Sequence, residues 1–265
     1  MTLSRLNRTC PAVGLLCVAL MGCAAKTPLD DDQRRLMSLA AQVQQNGDPA
    51  SAAALYERAA NASDQAPDVM LALGNARLSA GDAAGAAKAF RSVLMQRENE
   101  PHALLGLGSA ELKLGQLQRA ERTLTLAAPT LGSATMYSRL GTAQVLNGHF
   151  APALESFQQA LKQEPNNLDI RSNRALALAL SGQGREAELE MTAVTASPLA
   201  EPHHTRQQML VSMLAGNERR ARLALSDLSN TQRETLIRKA QAIRNISDPA
   251  RKAQAIGVLA AQSER

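Results

Sequence analysis

Tryptophan is absent from this chain of 265 residues, and three Phe and two Tyr are its only aromatics. Sheet cores draw on aromatic and β-branched side chains, so the shortage argues against a β-sandwich and leaves Ala and Leu to pack helix against helix. It also leaves few rings on which bases stack, which disfavours a single-strand nucleic-acid platform. A formal net charge of +5 is too small to mark a nucleic-acid binder without a concentrated basic patch. Cysteine is confined to Cys10, Cys17 and Cys23, so the chain after residue 23 has no thiol for a disulfide framework or a thiolate metal site. The apolar stretch Pro11–Met21 is about half the ~20 residues that a membrane-spanning helix needs.

Acidic residues are missing from positions 1–22, where Arg5 and Arg8 precede the apolar Leu15, Leu16, Val18 and Leu20. That order is a secretion signal. Its end, Leu20-Met21-Gly22-Cys23, resembles the lipobox of bacterial lipoproteins. The resemblance implies cleavage before Cys23 and acylation of Cys23; the plainer alternative is an ordinary signal peptide with an incidental cysteine. Several acyl chains on one residue anchor stably, where one alone binds marginally. Ala24, standing where an Asp would retain such proteins, implies by the same resemblance delivery to the outer membrane, on its periplasmic face. Residues 24–32 then read as a tether whose run Asp30, Asp31, Asp32 suits the start of a helix.

A period organises the rest. Gly47, Gly81, Gly115, Gly148, Gly182 and Gly216 recur every 33 or 34 residues, each between two helix-like runs. Glycine ends the first run because a helix C-cap there needs positive φ. With the turn glycine counted as position 15, position 8 is Ala40, Gly74, Gly108, Gly141 and Ala175, and position 20 is Ala52, Ala86, Ala120, Ala153 and Ala187. Position 24 is Tyr56, Phe90, Leu124, Phe157 and Met191, a large residue filling the gap between units. This pattern resembles the tetratricopeptide (TPR) repeat. The resemblance implies an all-α, right-handed superhelical solenoid of helix-turn-helix repeats, with five repeats from residue 33 and a degenerate sixth ending near 228. Arg77, Glu111 and Gln144 at position 11, and Arg174 at position 7, depart from the apolar residues usual in that family. Ser229-Asn230-Thr231 and Ser247-Asp248-Pro249 open two further helices, a basic pair that caps the array. The layout is a cleaved signal over 1–22, a lipidated tether over 23–32, the array over 33–228 and basic helices over 229–265.

Charge follows that layout. Residues 24–201 carry 16 Lys and Arg against 19 Asp and Glu, whereas residues 202–265 carry 11 against 5. A solvated helical surface explains most of this; the alternative is a contact with an acidic partner or lipid head groups.

Catalytic and metal chemistry find little support. His102, His149, His203 and His204 have no ligand spacing, and adjacent His203 and His204 are expected on different faces of a helix. Gly106-Leu107-Gly108 and Gly182-Gln183-Gly184 fall on repeat positions with no strand before them. The reading is a binding protein with no cofactor and no nucleic-acid ligand. An enzyme with an unrecognised site, centred near His203 and Arg206, is the alternative.

The TPR resemblance implies a concave groove lined by the first helices, with positions 2, 5, 9 and 12 facing it. The partner-binding candidates are Met37, Leu71, Asn75, Leu105, Ser109, Ser138 and Thr142. Leu78, Leu112 and Val145 either join this strip or pack internally. An apolar strip with small polar groups suits a docked helix or extended segment. A lysine is missing beside Asn75, so the family's carboxylate clamp is not expected. The stretch Arg171–Glu188 looks like the last repeat of TadD-type lipoproteins of the tight-adherence (Flp) pilus. That resemblance implies help in assembling a pilus secretion machine, with its outer-membrane secretin as partner. Type IV pilotins and scaffolds of outer-membrane protein assembly or murein synthesis are the alternatives within lipid-anchored TPR proteins.

Overall fold

The computed structural model describes residues 30–262. The signal sequence, Cys23 and most of the tether lie outside the described residues. Among the described residues there are fourteen helices and no strand. They pair as α1 (Asp31–Gln45) with α2 (Pro49–Ala62), α3 (Pro67–Ser79) with α4 (Ala83–Gln96), and α5 (Pro101–Lys113) with α6 (Leu117–Leu131). Next come α7 (Ala134–Leu146) with α8 (Phe150–Gln163), α9 (Leu168–Leu180) with α10 (Gly184–Thr195), and α11 (Pro202–Leu214) with the short α12 (Glu218–Leu223). Two more helices follow, α13 (Asn230–Arg244) and α14 (Pro249–Gln262). Successive helices pack on one another in order, so each unit touches its neighbours and the chain is a helical solenoid of the kind the period implies.

The turns form for the reason the period implies. All six periodic glycines take φ between +69° and +88°, a region costly for any residue with a Cβ. Helix starts are capped by local side chains. Asp30 accepts the Gln33 N–H at 2.7 Å, Asp48 the Ser51 N–H at 3.0 Å and Asp82 the Gly85 N–H at 2.8 Å. Ser229 and Gln232 close a reciprocal box at the start of α13.

Small and large positions meet as the repeat requires. A Cβ on Gly74 would stand 2.6 Å from the Phe90 ring, one on Gly108 2.5 Å from Leu124, and one on Gly141 2.8 Å from Phe157. In these three repeats the large side chain of the second helix packs directly on the glycine of its own first helix. Leu73, Leu107 and Leu140 are buried, but Leu39 at the equivalent place is 47% exposed. No described helix precedes α1, so one side of Leu39 has nothing to pack on.

The polar departures are paired across each unit. Glu111 accepts from Thr123 Oγ1 at 2.8 Å, Gln144 Oε1 from Ser156 Oγ at 2.7 Å, and Glu190 takes Arg174 in two bonds of 2.7 and 2.9 Å. Thr123, Ser156 and Glu190 share one repeat position, one residue before the large gap-filler. That position is Ala89 in the second repeat, and Arg77 turns instead to Glu57 of the first, at 2.8 Å.

Candidate functional site: the concave face and its C-terminal cover

The first helices α1, α3, α5, α7, α9 and α11 carry the candidate strip. Met37, Leu71 and Leu105 are half-buried, each packed against the edge of a core cluster. Asn75 is exposed between them. Ser109 is buried, its hydroxyl donating to the Leu105 carbonyl at 2.6 Å, so it serves the helix rather than the surface. Ser138 and Thr142 are half-buried, and Thr142 Oγ1 donates to the Ser138 carbonyl at 2.9 Å. Leu78 and Leu112 pack partly on the core, and Val145 is buried.

The two ends of this face differ. Along α1, α3 and α5 it carries no further helix among the described residues. Along α7, α9 and α11 the chain folds back on itself. Helix α14 packs on α7, α11 and α13. Its Ala253 and Ile256 are buried, and Gln254 Nε2 donates to the Leu146 carbonyl at 3.1 Å. A cavity of about 260 Å³ remains beneath it. Thr142 and Val145 of α7, Leu176 of α9, Leu210 of α11, Leu236 of α13 and Gly257 of α14 form its mostly apolar wall. Asn173, His203, Arg206 and Gln207 bring the polar atoms. The candidate strip therefore reaches the cavity only through Thr142. Leu176 and Leu210 hold the position of Thr142 one and two repeats further on, and α13 and α14 complete the wall.

Beside the cavity, His203 and His204 overturn the expectation that they diverge. The rings lie 3.9 Å apart, and both converge on Asp169 Oδ1, at 2.8 Å from His203 Nε2 and 3.1 Å from His204 Nε2. Asp169 and His203 are 34 residues apart, the same position of adjacent repeats, and this was the signal that could have found them. Neighbouring residues converge because His204 bends back to the helix start, where its Nδ1 accepts the Glu201 backbone N–H at 2.9 Å. That bond uses the Nδ1 lone pair and leaves the proton on Nε2, so Nε2 has no lone pair for a cation. Asp169 and His203 act as a polar tie between α9 and α11, extended by the Gln207 amide donating to Asn173 at 3.3 Å, while His204 Nε2 is buried without a hydrogen-bond partner.

Two cations on these helices are unpaired. Arg206 at the cavity and Arg139 of α7 have no carboxylate partner among the described residues. Arg139 holds the repeat position of Asn173 and Gln207, and burial pulls its guanidinium below its ordinary value.

Tetratricopeptide-repeat family models match residues 77–140 and residues 40–101 and 138–200, together more than half of the chain. The chain belongs to the tetratricopeptide repeat family. MamA from Desulfovibrio magneticus RS-1 is similar at 21% identity and a TM-score of 0.58, over 63% of this chain and 96% of that one. A TPR protein from Parabacteroides merdae ATCC 43184 is similar at 14% identity and a TM-score of 0.61, over 80% and 84%. YrrB, a TPR protein with an unusual peptide-binding site, is similar at 17% identity and a TM-score of 0.53, over 79% and 97%. These likenesses are of fold. No curated protein matches the chain. The fold is one that typically serves as a non-catalytic scaffold for protein interaction. Among the described residues, no helix is long and apolar enough to cross a membrane.

Proposed function

We propose that this protein is a non-enzymatic, lipid-anchored scaffold on the periplasmic face of the outer membrane, which binds a component of a tight-adherence pilus secretion machine. The observation that carries the binding role is the concave face: half-buried Leu71 and Leu105 flank exposed Asn75 with no helix of the described chain over them. Such a strip suits an apolar segment docking by shape, with small polar groups fixing its register. The anchor rests on Leu20-Met21-Gly22-Cys23, and the pilus assignment on the likeness of Arg171–Glu188 to TadD-type lipoproteins. The secretin is the partner this reading favours.

Two experiments test it. Cells are labelled with a fatty-acid analogue while expressing the chain or Cys23→Ser. The unsubstituted chain should take up label and be shortened, and the variant should remain an unlabelled precursor. Equal labelling of both removes the anchor. For the role, the gene is deleted in a strain making the pilus, and the secretin is followed in the outer membrane. Secretin multimers should fall while its monomer is still made. Unchanged multimers and unchanged piliation would reject the pilus assignment.

A further inference from the structure

The last helix is a poor fit to the surface it covers. Helix α14 contributes Ala253, Ile256 and Gly257 to the cavity wall and leaves about 260 Å³ unfilled. A Cβ on Gly257 would meet only Leu146 Cδ2, at 3.8 Å, so the helix has room for a larger side chain there. The space is partly open to solvent, and its mostly apolar lining lacks packing partners on that side. Charge is mismatched as well. The sequence Pro249–Gln262 contains no acid and includes Arg251 and Lys252, although the cavity wall beneath holds Arg206, which has no carboxylate partner among the described residues. Only one side-chain hydrogen bond, from Gln254 to the Leu146 carbonyl, ties α14 to α7 among the described residues.

We propose that the concave face of α7, α9 and α11 is a docking site for an acidic amphipathic helix of a partner protein, and that α14 is its resident, exchangeable cover. The incoming helix places a leucine-sized or larger side chain where Gly257 leaves space, and a carboxylate against Arg206. The seat itself shows that this face accepts a helix with small residues at its closest approach. The proposal deepens the protein-binding reading, but it concerns the opposite half of the array from Leu71 and Leu105.

The test uses the full chain and labelled 14-residue peptides read by fluorescence anisotropy. One peptide has the sequence of residues 249–262. The second carries Gly257→Leu, Arg251→Glu and Lys252→Glu, which enlarges its apolar face and reverses its charge. In the protein, Ile256→Asp undocks α14 by burying a carboxylate without a partner. The acidic peptide should bind the Ile256→Asp chain at least about tenfold more tightly than the unsubstituted chain, because it no longer competes with α14. It should outbind the basic peptide by about tenfold and lose about fivefold with Arg206→Gln, as expected for a charge-assisted hydrogen bond. Gly257→Ala in the chain provides a second arm. It tightens α14 by filling space and favouring helix, so peptide binding should weaken. Equal affinity for all three chains, or equal affinity of both peptides, overturns the proposal. So does absence of binding to an Ile256→Asp chain whose circular dichroism shows an intact array. Partner capture that still depends on Leu71 and Leu105 would then leave the scaffold reading standing.

Discussion

Arg174 stands where the other repeats carry Leu39, Leu73, Leu107 and Leu140, and one buried carboxylate accounts for it. Glu190 reaches across from α10, with its side chain 7% exposed, and is held by both ends of the Arg174 fork while Arg171 lies 3.7 Å away. Removing one member strands the other, and a stranded buried charge costs more than the pair contributes. Arg174→Leu should lower unfolding stability by about 2 kcal/mol, with Arg171 limiting the loss. Adding Glu190→Leu should recover most of it, because an apolar pair of similar volume replaces the ion pair. Urea unfolding of the two variants checks this. A single substitution that costs no more than the double one would mean the bridge is idle. In the sequence Arg174 looks anomalous because its partner sits 16 residues away on another helix. The pairing becomes readable once Thr123, Ser156 and Glu190 are seen to share a repeat position.

At the scale of elements, boundaries were legible where a local rule sets them. Asp30 and Asp48 cap helices, proline opens α2, α3, α5, α11 and α14, and each periodic glycine ends a first helix. Asp48 illustrates the electrostatics of such a cap. Its carboxyl is held below its ordinary 3.8, chiefly by the hydrogen bonds from the Ser51 side chain and backbone, with a smaller share from the Ala50 backbone. A depressed carboxylate stabilises the fold above its unfolded pKa, and that share is lost as pH falls through the folded value. Protection of the first amides of α2 from hydrogen exchange should therefore fall as pH drops below about 4, after correction for the intrinsic rate. In Asp48→Asn, which caps without ionising, this dependence should vanish. Identical pH profiles for the two proteins would contradict the assignment. What no local rule reveals is that α14 folds back over α7 and α11. Its amphipathic pattern announces a buried face but not the surface that buries it.

For the whole molecule, the 34-residue period carried the architecture because each repeat meets only its neighbours, so contacts in space follow from spacing in sequence. Of the candidate groove residues, Thr142 lines the cavity under α14, and Leu71 and Leu105 are half-buried at the edge of the core. Ser109 is spent on its own helix, a use that hydroxyl-bearing residues share in many helices and that position alone cannot exclude. The rival contact is the basic C-terminal part, and the structure reduces it. Arg222 is neutralised by Glu218 and Glu234, and Arg220 bonds to Thr192, leaving Arg219, Arg238 and Lys239 as exposed cations of α12 and α13. The two surfaces predict opposite responses to salt. Exposed cations would hold a partner less well once ionic strength shortens the screening length to about 8 Å or below. Apolar docking on the open half of the groove should change little. With Leu71→Asp and Leu105→Asp together, secretin capture should be lost at every salt concentration, since a carboxylate in an apolar contact is desolvated without a pair. Both leucines are half-buried, so each substitution should also cost about 1–2 kcal/mol of stability while leaving the helical signal intact. Capture that survives both substitutions and fades with salt would assign the contact to α12 and α13 instead.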